Sequence, residues 1–130
     1  MDLARRLVLA SLLGTSLLLT ACKPAVQEIR IAAQECRFEP AQIRLRAAQP
    51  AHLVIVNEGH EAHEFTSTLL ANPLVRVLAA AKPAEYREAA SFKIPPGRSV
   101  EITLQAPPSV YVFYCKIKGH SAMAGTIMVE

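Results

Sequence analysis

The segment Tyr114-Cys115-Lys116-Ile117-Lys118-Gly119-His120-Ser121-Ala122-Met123 decides how this chain is read. It follows Val110 to Tyr114, a dense run of β-branched and aromatic residues, and precedes a further strand-like stretch, Thr126 to Val129. A thiol, an imidazole and a thioether therefore share one loop between two strands. Soft sulfur donors with imidazole select copper, and Cys-His₂ with a weak axial Met is the arrangement of electron-transfer sites. A second histidine has to come from elsewhere. His63, in Glu61-Ala62-His63-Glu64-Phe65, is the best placed, because it follows the apolar strand Leu53–Val56 after a short loop. His60 competes with it.

Working outward, β-like segments alternate with turn signals. Val26, Ile29 and Ile31 are the apolar members of a first strand. Ile43, Leu45 and Ala47 alternate with Arg44 and Arg46, and Val100, Ile102 and Leu104 alternate after the turn Pro95-Pro96-Gly97. On this pattern Met128 alternates into the core of the last strand, and His52 sits at the surface where a strand begins. The exception is Thr68 to Ala90. Asn72-Pro73 has the form of an N-cap followed by Pro at the first helical position, so Leu74 to Ala81 is expected to be helical, with a turn starting at Pro83. About seven or eight strands with a short helical insertion predict an all-β, antiparallel sandwich.

Composition narrows the alternatives. The chain has 130 residues, is 52% apolar and 19% charged, and carries a formal charge of +3. That length suits one domain. The positive balance is too small and scattered for a nucleic-acid groove. No nucleophile–base pair, phosphate loop or paired catalytic carboxylates can be found, so an enzyme is not expected.

At the N-terminus, Arg5 and Arg6 precede the uncharged, Leu-rich stretch Leu7 to Leu19, which ends Leu19-Thr20-Ala21-Cys22. A short apolar core behind a basic start has the form of a secretory signal, too short for a comfortable membrane span. Its end resembles the bacterial lipoprotein signal. The resemblance implies cleavage after residue 21, acylation of Cys22, a tether over 22–27 and a folded domain over 28–130. It places the domain on the periplasmic side of the bacterial cell envelope, lipid-anchored to the membrane.

Further motifs sharpen the copper reading. Phe38-Glu39-Pro40 opens a strand, Asn57-Glu58-Gly59 precedes a histidine, and Tyr-Cys-x₄-Gly-His precedes Met-x-Gly-Thr. Together they resemble bacterial cupredoxins of the azurin/plastocyanin type, over the whole mature chain. The resemblance implies a Greek-key β-sandwich holding one type 1 copper ion, with His63, Cys115 and His120 as equatorial ligands and Met123 as the axial one. The chain departs from that pattern between His120 and Met123, where only Ser121 and Ala122 intervene; azurin-like and plastocyanin-like chains carry longer loops.

The implied activity is Cu(II)/Cu(I) electron transfer by a monomer. Ile117, Ala122 and Ala124 form a small apolar face around His120. Lys116 and Lys118 rim it, which favours a redox partner with an acidic docking patch. Two other functions use the same residues: an envelope protein that stores, delivers or detoxifies copper, and a cupredoxin-like module of a metal uptake system. Cys36 is the odd cysteine of a secreted protein. Two residues from Phe38, it is expected on the same inward face as a buried free thiol, with a Cys36–Cys115 disulfide as the rival arrangement.

Overall fold

The computed structural model describes residues 21–23, 25–80, 85–88 and 91–130, with backbone alone for 77–80 and 85–88. The apolar N-terminal stretch up to residue 20, expected to be a signal, and the turn expected at Pro83 lie outside the described residues. Two sheets face each other. One orders β2 (Phe38–Glu39), β1 (Gln27–Ala33), β4 (Ala51–Asn57), β9 (Ser99–Gln105) and β6 (Arg76–Ala80). The other orders β3 (Gln42–Leu45), β11 (Ala124–Val129), β10 (Ser109–Tyr114), β5 (His63–Ser67), β8 (Ser91–Ile94) and β7 (Glu85–Glu88). The expected sandwich is present. Its strand pairing is mixed, however: β1 runs parallel to β4 and β3 parallel to β11, while the other pairs are antiparallel.

Strand periodicity sends alternate side chains into the space between the sheets. Ala51, Leu53, Ile55 and Asn57 point inward from β4, and Val100, Ile102 and Leu104 from β9. Phe38, Phe65 and Phe113 meet at the centre of one end, with ring centroids 5.2–6.2 Å apart. Two of these contacts are edge-to-face, the arrangement that places a positive ring edge on a negative ring face. Phe65 lies two residues after His63 and Phe113 two before Cys115, so both candidate ligands share an inward face with a core aromatic ring.

Three expectations need correction. The helix expected over Leu74–Ala81 does not form in its described part, 74–80: the only helix among the described residues is α1 (Thr68–Ala71), and Arg76–Ala80 is strand β6 against β9. Asn72 is a cap of another kind, ending α1 and turning the chain, its Oδ1 accepting from Leu74 N at 2.8 Å. The segment read as a helical excursion thus supplies β6 and β7, and the described residues hold eleven strands in all. Met128 points outward at 36% exposure, because the inward set of β11 is Ile127 and Val129. Cys36 is exposed and free, as are Cys22 and, though buried, Cys115. The chain bends between β1 and β2, with Gln34 N donating to Arg37 O at 2.9 Å, so strand alternation does not extend from Phe38 back to Cys36.

Candidate metal centre

His63 opens β5 and is fully buried; Cys115 follows the last residue of β10 at 5% exposure. The two strands are neighbours, paired Tyr114↔Thr66, and this register carries Cys115 alongside the start of β5. Glu64 N donates to Cys115 Sγ at 3.3 Å. His120 comes from the loop beyond β10, which consists of two consecutive tight turns. His120 N donates to Ile117 O at 3.0 Å, and Met123 N to His120 O at 2.9 Å. Gly119, at φ +92°, supplies the left-handed residue of the first turn, a conformation that a side chain would strain. Cys115 N then donates to Met123 O at 3.1 Å and closes the loop at its base.

The result is a convergence of three donors. His63 Nδ1 lies 3.2 Å from His120 Nδ1, and Cys115 Sγ lies 3.5 Å from that same nitrogen. One ligating atom from each residue falls within 4.8 Å of the other two. Two neutral imidazoles facing Nδ1 to Nδ1 beside a thiol satisfy at most part of their polar capacity, whereas one soft cation would accept lone pairs from all three. Burial and the adjacent His120 hold the His63 imidazole below its usual pKa, which keeps its lone pair available to a metal. The donor set therefore fits copper. Met123 is fully buried on the same loop.

The histidines left out are accounted for. His60 faces solvent at 95% exposure and bonds Glu35 through both its ring and its main-chain N. His52 lies on the outer face of β4, where Nδ1 meets Glu28 at 2.6 Å and Nε2 meets Glu101 at 3.3 Å.

Sequence reasoning missed the residues that support the ligands. Asn57, at the end of β4 and fully buried, donates to Glu61 O at 2.7 Å and Ile94 O at 2.8 Å, and accepts from Gly59 N at 2.9 Å. It ties the loop leading to His63 onto β8. Gly59 passes so close to His63 that a Cβ there would stand 3.0 Å from Nε2. The available signal was Asn57-Glu58-Gly59 itself, a polar break directly after an apolar strand. Glu61 was visible only as a neighbour of His63, yet its Oε2 lies 3.0 Å from His120 Nε2.

A two-sheet Greek-key sandwich with a buried His-Cys-His cluster at one end defines the class of blue copper domains. The chain belongs to the cupredoxin-like domain family, whose model matches residues 7–129. Its fold resembles that of an auracyanin from the photosynthetic bacterium Roseiflexus castenholzii, at 22% identity and TM-score 0.59, covering 83% of this chain and 99% of that one. Auracyanin A, described as a "blue" copper protein from Chloroflexus aurantiacus, gives 20% identity and TM-score 0.58, covering 82% and 100%. A multicopper oxidase from Campylobacter jejuni gives 11% identity and TM-score 0.58, with 84% of this chain spanning 31% of the oxidase. At these identities the likeness is one of fold. No curated protein matches the chain.

Proposed function

We propose that the chain is a type 1 copper protein that carries electrons in the bacterial cell envelope, held on the periplasmic side by lipid at Cys22. The observation that carries this reading is the buried convergence of His63, Cys115 and His120. Bound copper would supply a one-electron Cu(II)/Cu(I) couple. His63, Cys115 and His120 would hold it equatorially, and Met123 is the axial thioether of the proposal. The Glu64 N–H draws charge from the Cys115 sulfur, and the Phe38–Phe65–Phe113 cluster keeps the floor of the site dry. A rigid two-sheet frame favours small rearrangement between oxidation states, which suits outer-sphere transfer rather than substrate turnover.

His120 gives the electron its path to the surface. Ala122 and Ala124 are exposed and Ile117 half-buried around it, with Lys116 and Lys118 exposed at the rim. A small apolar face with a basic margin suits a weak, transient contact with an acidic redox partner. The test is the absorption and paramagnetic resonance spectrum of the Cu(II)-loaded chain. One copper per chain and an intense thiolate-to-copper band are expected. Cys115→Ser abolishes that band, because a hydroxyl is a harder and poorer charge donor; a coloured Cys115→Ser protein refutes the assignment.

A further inference from the structure

We infer that Glu61 is a positioning residue for His120, fixing which ring nitrogen carries the proton and lowering the reduction potential of the centre. The inference rests on the type 1 copper reading above. His120 uses its two nitrogens in opposite directions. Nδ1 faces His63 Nδ1 and Cys115 Sγ, at 3.2 and 3.5 Å, while Nε2 meets Glu61 Oε2 at 3.0 Å. A carboxylate accepts and does not donate, so the bond requires the proton on Nε2 and leaves the Nδ1 lone pair pointing into the cluster.

Glu61 is anchored for this role. Its main-chain oxygen accepts from the buried Asn57 amide, which is itself bonded to Ile94 O and Gly59 N. The neighbouring carboxylates are engaged elsewhere: Glu35 with His60, and Glu58 with Arg30 at 2.6 Å. A metal-ligating histidine whose second N–H meets a carboxylate is locked in one tautomer and becomes a stronger donor. A stronger donor and a nearby negative charge both favour the more positive oxidation state, so the potential falls. The Glu61 side chain is 71% exposed, and a contact so open to water adds little to stability. The potential, rather than the melting temperature, therefore reports the interaction.

The experiment compares the full chain with Glu61→Gln, Glu61→Ala and the control Glu58→Gln. Redox titration of the visible band should show the midpoint shifted upward in both Glu61 variants, further for Ala, and unmoved in Glu58→Gln. Nitrogen-15 NMR of the metal-free chain at fixed pH should show a single Nε2–H tautomer for His120, becoming a mixture in Glu61→Ala. Wild-type midpoints in the Glu61 variants, or an unchanged tautomer in Glu61→Ala, overturn the inference. A copper-loaded wild type without the charge-transfer band refutes the type 1 reading instead. The tautomer comparison then decides the positioning role by itself, a mixture supporting it and an unchanged signal overturning it.

Discussion

Gly125 illustrates how tightly single residues are fitted under the site. It lies on β11 opposite Phe113, and a Cβ there would stand 2.3 Å from Phe113 Cζ and 2.5 Å from Ala41 O. The ring is part of the aromatic floor and the carbonyl is backbone, so neither yields easily. Gly125→Ala should cost about 3 kcal/mol, the upper end for overpacking a well-filled core. A lower urea midpoint with unchanged slope would show it; a wild-type midpoint would mean that the Phe113 ring and the backbone at Ala41 give way at no cost. At this scale the sequence was most informative about donors. His63, Cys115 and His120 stand out because residues of these types carry distinctive metal chemistry. Asn57 and Glu61 do not, because amides and carboxylates are common in loops and acquire a role only from what folding sets beside them.

Among the elements, the strands with clean alternation, β3 and β9, were legible in residue order, since a period of two has one buried solution; β4 was legible only as an apolar run. The stretch 68–90 was not. Its Ala-rich composition favours helix, but propensity is a weak prior that pairing with β9 overrides. Met128 was misplaced for a related reason: an apolar residue on the solvent face of a strand looks like core, yet here it pairs with Val110 on the outer face. The tight turn from His120 to Met123 gives the ligand loop a testable property. Its hydrogen bond spans only Ser121 and Ala122, and this restrains Met123. Axial thioether position tunes such centres. We expect a restrained thioether to weaken the copper–thiolate bond and move visible intensity toward the higher-energy band, giving a greenish protein. Inserting one residue after Ala122 should return the spectrum toward blue. An unchanged band ratio would show that loop length does not set the axial interaction.

At the scale of the whole molecule, His52 ties β1, β4 and β9 together through Glu28 and Glu101. Its hydrogen bond to Glu28, helped by Glu101, raises the imidazole pKa above the ordinary histidine value. A raised folded-state pKa means that the stabilisation is fully present below about pH 6.5 and fades as pH rises through the higher value. His52→Gln should flatten the fall in urea midpoint across that window; an unchanged slope would assign the pH dependence to other groups. The proposed attachment at Cys22 is separable from folding, because Cys22 is exposed and precedes the first strand. Cys22→Ala should remain folded and bind copper but leave the membrane fraction. Variant protein that still pellets like wild type would require a different anchor. No helix among the described residues is long and apolar enough to cross a membrane.

The parallel alignment of β1 with β4 has a directional consequence. Gln27 begins β1 beside Ala51, and both strands then run the same way, to Ala33 and Asn57. Six steps of extended chain separate these ends by roughly 20 Å. The point where the polypeptide enters the fold and the point where an electron would leave it are therefore antipodal. With the proposed lipid at Cys22, the reactive tip would lie at the end of the fold away from the mooring, offered outward to whatever diffuses past.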